Sequence, residues 1–145
     1  MTSKNEKQKT CVAVAMSGGL DSSVAAALLK EQGYEVFGVT ARMWPCESRC
    51  CSDEDVRSAR TAAERLGIAH HTVDLLKFFE RDVVRAFVDE YARGRTPSPC
   101  AVCNPTIKFG VLMEKAFELG ASRLATGHYA RIEPGDDDNF HLLRG

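Results

Sequence analysis

Short apolar runs alternate with amphipathic stretches along most of this chain. The run at residues 11–16 predicts a buried β-strand, and further strand candidates lie at residues 34–41, 68–73 and 122–127. Between them, apolar residues recur every three or four positions, which is the pattern of a helix with one buried face. Strands that alternate with helices predict an α/β fold with a doubly wound, mainly parallel sheet. In such a sheet, ligands bind beyond the carboxyl ends of the strands.

The segment after the first strand predicts a helix with a buried stripe. Asp21 or Ser22 is expected to cap its N-terminus, and Gly33 lies where a left-handed C-terminal cap belongs. The apolar residues at helical spacing are Val24, Ala25, Leu28 and Leu29. We therefore expect this stripe to face the sheet.

Local signals also predict the bounds of later helices. Ser52 and Asp55 have the spacing of a capping box, and Gly67 is expected to end the helix that they begin. Asn104, followed by a proline, predicts the start of another helix, which would end at Gly120.

The two ends of the chain carry different signals. Residues 1–10 are polar, and we expect a solvated, disordered arm before a domain that spans 11–145. Within 129–144, two short β-like stretches flank a run of aspartates, which predicts a C-terminal β-hairpin.

Composition narrows the class of protein. The 145 residues are 44% hydrophobic and carry a formal net charge of −1, so there is no overall nucleic-acid signature. No apolar run approaches the ~20 residues of a membrane helix, and the first residues lack the apolar centre of a signal peptide. A cytoplasmic protein without a membrane partner is the expectation. Because six cysteines are present, metal binding or catalysis is a more plausible use for them than a disulfide framework.

The loop after the first strand has the composition of a phosphate-binding site. It reads Ser-Gly-Gly-Leu-Asp-Ser-Ser from Ser17. Two glycines allow amides to approach an oxyanion, and the helix that follows adds unpaired N–H groups. Asp21 can cap the helix or bind a Mg²⁺ that bridges phosphate oxygens. The alternative is a purely structural glycine turn with a serine cap, which the strand–loop–helix context disfavours.

This loop resembles the motif of the ATP pyrophosphatases, whose fold is that of the adenine nucleotide α-hydrolases. The resemblance implies cleavage of ATP between the α and β phosphates and adenylation of a carbonyl oxygen. It leaves the substrate open, because the group includes amidotransferase-type synthetases as well as thiolases.

A second loop carries cysteines in a proline-rich setting. Residues 94–104 read GRTPSPCAVCN, so Cys100 and Cys103 have the spacing C-x-x-C. A redox pair, half of a metal site, a nucleophile with a structural neighbour and two buried small residues all fit this spacing. Cys103 precedes the expected cap at Asn104, where the helix dipole would favour its thiolate.

The second loop, with Ile107-Lys108-Phe109 and the run ATGHY at 125–129, is similar to the tRNA-specific 2-thiouridylase family from about residue 11 to 145. The resemblance implies that Cys103 is catalytic and forms a disulfide with a second, persulfide-bearing cysteine during sulfur transfer. It implies that the target base of tRNA faces Ser98, Pro99 and Cys100. The implied ATP-binding residues are Ala15, Met16, Ser17, Gly18, Gly19, Leu20, Asp21, Ser22, Ala41 and Gly127.

The reaction implied by the resemblance is a 2-thiolation. ATP with Mg²⁺ would adenylate the wobble uridine at its C2 oxygen, and sulfur from a persulfide donor protein would then displace AMP. Members of the family continue into a central tRNA-binding region and a β-barrel that this chain lacks, and the second cysteine lies in that continuation. We therefore expect incomplete thiolation by this chain alone.

Two alternatives remain open at this stage. One is an adenylating enzyme of the same group with a different acceptor. The other is a non-catalytic module that binds ATP or an iron–sulfur cluster, since Cys50, Cys51, Cys100 and Cys103 together offer thiolates to a cluster or to zinc. Lys108 is either a phosphate contact or a solvated helix lysine.

Overall fold

The computed structural model describes residues 10–44, 52–135 and 139–145. Its strands are, in chain order, β1 Cys11–Ala15, β2 Glu35–Arg42, β3 Ala69–Asp74, β4 Arg123–Thr126, β5 Ala130–Pro134 and β6 Phe140–Arg144. Strands β1 to β4 form a parallel sheet in the order β3-β2-β1-β4, and β5 pairs with β6 in an antiparallel hairpin. The predicted α/β fold and the predicted hairpin are both confirmed.

Helices cover the parallel sheet. They are α1 Leu20–Glu31, α2 Asp53–Leu66, α3 Leu76–Phe79, α4 Arg85–Ala92, α5 Pro99–Cys103 and α6 Leu112–Glu118. π-helical turns join α3 to α4, at Glu80–Val84, and α5 to α6, at Asn104–Val111. Among the described residues, no helix is long and apolar enough to cross a membrane.

Alternation along the strands divides the core between the two faces of the sheet. On β2, Phe37 and Val39 pack into one core with Ile107 and Leu112 from the later helical segments. Val36 belongs to the opposite core, where α1 and α2 contribute the small residues Ala26, Ala59 and Ala63. Small side chains let these two helices pack close to the strands.

The predicted bounds of α2 are confirmed. The Ser52 side chain accepts a hydrogen bond from the Asp55 amide, and the Asp55 carboxylate accepts one from the Ser52 amide, so the capping box is complete. Gly67 ends the helix in the left-handed conformation, with φ of 62°. The Lys30 ammonium donates to the carbonyl of Leu66, which joins the C-terminus of α2 to α1.

The prediction for α1 was wrong in two respects. Gly19 is the N-cap residue and no side chain caps the helix, so neither Asp21 nor Ser22 has the predicted role. Of the expected stripe, Ala25 and Leu29 do pack against the core on this face of the sheet. Val24 and Leu28 are 45% and 50% exposed, because the residue that the helix buries fully there is Ala26.

The predicted start at Asn104 was also wrong. The helical segment begins five residues earlier, at Pro99, and Asn104 lies inside it with helical angles. Pro105 therefore occupies a helix interior, where its ring has no N–H to donate and crowds the carbonyl four residues before it. The π-helical turn at Asn104–Val111 widens the backbone at this proline.

Candidate functional site

A cavity opens at the carboxyl edge of the parallel sheet, between the β1–α1 loop and the end of β4. The residues that line it are Ala15, Met16, Ser17, Gly19, Asp21, Ser22, Val39, Ala41, Met43, Lys108, Leu112, Thr126, Gly127 and His128. This is the edge at which parallel α/β sheets bind ligands. Most of the residues predicted to bind ATP meet here.

The loop from Met16 to α1 is held closed by Ser22. Its buried hydroxyl donates to the Gly19 carbonyl at 3.2 Å and lies 3.4 Å from the amide of Ser17, which donates to it. Ser23 also donates to Gly19, at 3.0 Å. These hydroxyls hold the loop rather than facing a ligand, which leaves the free amides of the first turn of α1 for an anion.

Two glycines allow the loop to pack against its neighbours. Gly18 has φ of +76°, and a Cβ there would lie 2.7 Å from the carbonyl oxygen of Asp55. A Cβ on Gly127 would lie 2.6 Å from the amide nitrogen of Ser22. Gly127, which the sequence predicts to bind ATP, lines the cavity, and its lack of a side chain is required by the start of α1.

Asp21 supplies a carboxylate to the cavity. It is exposed in the first turn of α1, and no other Asp or Glu among the described residues lines this cavity. A single carboxylate beside phosphate oxygens is a common way for proteins to hold Mg²⁺. The site therefore fits this ion without a dedicated cage of ligands.

Behind the loop, hydrogen bonds link Thr40 to Met16 and to His70. The Thr40 hydroxyl donates to the Met16 carbonyl at 2.7 Å and lies 2.8 Å from Nε2 of His70. Since the hydroxyl has one proton and gives it to Met16, Nε2 of His70 must carry the proton between these two residues. Nδ1 of His70 is then a buried acceptor with no partner among the described residues.

His70 should make the stability of the domain depend on pH. Burial lowers the pKa of His70, the Arg60 and His71 charges lower it further, and Glu64 opposes them. Below about pH 6.5, His70 takes up a proton in the unfolded chain, whereas in the folded chain its lowered pKa keeps it neutral. We expect the free energy of unfolding to decrease from pH 7.5 to 5.5, measured by urea denaturation.

The matched variants are His70→Gln and His71→Gln. Glutamine at residue 70 can keep the hydrogen bond to Thr40 but does not titrate, so this variant should lose much of the decrease. His71 is exposed on the same strand, and its variant should retain the decrease. An unchanged pH dependence in His70→Gln would contradict the assignment.

A second cavity adjoins the first on the side of the cysteine segment. Pro99, Cys100, Cys103, Asn104 and Lys108 line it from the helical segment. Opposite them lie Ser17, Gly18, Gly19, Met43, Asp55, Phe79 and Val83. The glycine loop thus separates the two cavities and contributes to both.

The two cysteines differ in exposure. Cys100 is exposed, whereas Cys103 is only 8% exposed. Cys103 is the last residue of α5 rather than the residue before a helix start. The predicted effect of a helix N-terminus on its thiol is therefore wrong, and any activation must come from groups in the cavity.

Some predicted site residues lie apart from the cavities. Leu20 is 78% exposed and faces the groove between α1 and α2. Ser98 is the N-cap residue of α5 and lines neither cavity. Cys50 and Cys51 lie outside the described residues, and within those residues no group of three or more His, Cys, Asp or Glu is arranged to hold a metal.

The sequence reasoning missed several residues that complete the walls. Val39, Leu112 and Thr126 line the first cavity, and Asn104 lines the second. Thr126 also bonds Nδ1 of His128 at 2.7 Å through its hydroxyl. Periodicity marks Val39 and Leu112 only as core residues, so no sequence signal distinguished them.

A parallel sheet with a glycine-rich loop between β1 and α1 and a cavity at its carboxyl edge defines an α/β domain with the usual position of a nucleotide site. Solved structures share the fold. A predicted tRNA methyltransferase subunit from Methanocaldococcus jannaschii matches with a TM-score of 0.53 and 23% identity, over 82% of this chain and 53% of its own. A glutamine-dependent NAD+ synthetase from Acinetobacter baumannii, solved with adenosine diphosphate, gives a TM-score of 0.53 at 18% identity, over 81% and 22%.

The chain belongs to the tRNA methyl transferase HUP domain family, whose model matches residues 10–145. It is 52% identical to the tRNA-specific 2-thiouridylase MnmA of Geobacter metallireducens, over 97% of this chain and 41% of that protein. It is also 52% identical to the tRNA-specific 2-thiouridylase MnmA 2 of Thermoanaerobacter sp. strain X514, over 92% of this chain and 39% of the relative. The chain thus spans about two fifths of the length of these relatives.

Proposed function

We propose that this chain is the adenylating part of a tRNA-uridine 2-sulfurtransferase. The observation that carries the proposal is the glycine loop shared by two cavities, one at the start of α1 and one containing Cys103. Chemistry that first activates an oxygen with ATP and then replaces it with sulfur requires a nucleotide and a thiol at adjoining sites. Proximity of this kind lowers the barrier by fixing the reacting groups before reaction.

The substrate is proposed from the relatives. Both 2-thiouridylases are tRNA-specific and about half identical to this chain. We propose the wobble uridine of tRNA as the acceptor, with its base facing Pro99 and Cys100 in the second cavity. A protein carrying a persulfide is the proposed sulfur donor, and the proposed compartment is the cytoplasm.

The residues divide between two steps. The first-turn amides of α1 would bind the phosphates, and Asp21 would hold a Mg²⁺, which would supply charge neutralisation at the pyrophosphate. The C2 oxygen of uridine would attack the α-phosphorus and release pyrophosphate. In the second step, the outer persulfide sulfur would attack C2 and AMP would leave with the activated oxygen. The Cys103 thiolate would then attack the inner sulfur, so that the outer sulfur stays on C2 and Cys103 forms a disulfide with the donor cysteine.

The direct experiment measures pyrophosphate release from ATP with Mg²⁺, with and without unmodified tRNA that bears a wobble uridine. We expect release to depend on the tRNA and to survive in Cys103→Ser, because the thiol is needed only afterwards. The same variant should form no 2-thiouridine when a persulfide donor is supplied. ATP binding without release under any of these conditions would reject adenylation by this chain and leave a nucleotide-binding module.

The iron–sulfur alternative has a specific observation in its favour. Cys100 and Cys103 lie one helical turn apart and line the same cavity, so both thiolates are able to meet one ligand. Anaerobic reconstitution followed by absorption and iron analysis separates the two ideas. A coloured protein whose iron is lost in Cys100→Ser would favour a cluster, and a colourless, iron-free protein would exclude it.

A further inference from the structure

Lys108 lies at the junction of the two cavities. Both cavities are lined by Ser17, Gly19, Met43 and Lys108. Of these, Lys108 alone has a charged side chain. No other Lys or Arg among the described residues lines either cavity. A ligand that occupies both cavities would therefore have this lysine beside it.

The π-helical turn accounts for this position. In an uninterrupted α-helix, side chains five residues apart project about 140° apart, which would turn Lys108 away from Cys103. Here the turn Asn104–Val111 ends with the Leu112 amide bonded to the Ile107 carbonyl, five residues before it. Such a turn brings positions five apart toward one line. Cys103 and Lys108 consequently line the same wall.

Within the described part of the chain, the Lys108 ammonium has no carboxylate partner. Among the described residues it forms no ion pair, whereas Lys115, on the same helical segment, pairs with Glu118 at 2.7 Å. Lys108 is also half-buried, so solvent screens its charge less than at an open surface. A half-buried cation that no described carboxylate neutralises is suited to an anionic ligand.

We infer that Lys108 binds the α-phosphate of ATP and keeps that contact with AMP, the group that leaves when sulfur is transferred. The inference rests on the proposed function and adds a catalytic residue to it. The α-phosphate is the phosphate common to both steps, and a cation between the two cavities is placed to serve both. The glycine-loop amides then remain for the pyrophosphate end of ATP.

The test compares the affinity of the chain for ATP, AMP and adenosine by calorimetry, in wild type, Lys108→Gln and Lys115→Gln. Lys108→Gln should weaken ATP and AMP equally, by about tenfold for one charge-assisted contact, and leave adenosine unchanged. Lys108→Arg should restore much of the loss, since it keeps the cation. Lys115→Gln removes the same charge outside the cavities and should bind all three as wild type does.

Each other outcome rejects the inference. Equal weakening of all three ligands would mean that Lys108 only supports packing, and weakening of ATP alone would move the contact to the β or γ phosphate. Unchanged affinities would make Lys108 a solvated lysine. A wild-type chain that bound none of the three ligands would reject the proposed function itself, which distinguishes that failure from a failure at Lys108.

Discussion

Asp21→Asn should lower tRNA-dependent pyrophosphate release from ATP by about 100-fold or more, the range found when one group that stabilises developing charge is removed. Among the described residues, Asp21 supplies the only carboxylate that lines the first cavity, at the start of α1. Asparagine keeps the size and the oxygen but loses the charge that attracts Mg²⁺. The measurement is an initial rate at saturating ATP, repeated over a range of Mg²⁺ concentrations.

The Mg²⁺ dependence distinguishes loss of the ion from loss of the fold. If Asp21 holds Mg²⁺, higher concentrations of the ion should partly restore the rate of the variant. Asp89→Asn is the matched control, because Asp89 is exposed on α4 and lines neither cavity. It should retain the wild-type rate. Full activity in Asp21→Asn would show that the pyrophosphate is stabilised without this carboxylate.

Features encoded within a few consecutive residues were predictable from the sequence. The capping box of Ser52 and Asp55 and the left-handed Gly67 were both identified, because each depends on a local hydrogen bond or backbone angle. The two central strands were predictable for a related reason, since β1 and β2 are short, buried and mostly apolar. The position of the first cavity then followed from the general rule that ligands bind at the carboxyl edge of such sheets.

Features that depend on contacts between distant residues could not be predicted. The hydrogen bond between Thr40 and His70 requires the register of β2 against β3, which pairs Gly38 with His70. Neither Thr40 nor His70 belongs to a motif. The exposed Val24 is another case, because helical periodicity does not specify which of two apolar arcs faces the sheet. Here the small Ala26 was selected by the close approach of α1 to the strands.

Pro105 misled the sequence analysis for a different reason. An Asn-Pro pair is a favoured helix start, so the preceding residues were assigned to a loop. The structure instead continues the helix through the proline by widening its turn. This geometry brings Cys103 and Lys108 to one wall, so the local rule failed at a position that also shapes the candidate site.

Gly18→Ala should destabilise the domain by about 3 kcal/mol, which is the upper end of the cost of a forced backbone conformation. Gly18 has φ of +76°, and the new Cβ would lie 2.7 Å from the Asp55 carbonyl oxygen and 3.1 Å from Cβ of Ser58. Both neighbours belong to α2, and the first is backbone that cannot rotate aside. We expect thermal unfolding to show a melting temperature lower by about 10 °C.

Gly19→Ala, one residue along, is the control that separates strain from loss of a glycine. Gly19 has φ of −82°, which alanine adopts freely, and its Cβ would meet only the Ser17 hydroxyl at 3.5 Å. Its cost should stay below about 1 kcal/mol, the usual loss for alanine at an N-cap. Equal melting temperatures for the two variants would mean that α2 does not press on the loop. A large difference would establish that the loop is held in shape from outside by α2, as well as from inside by Ser22.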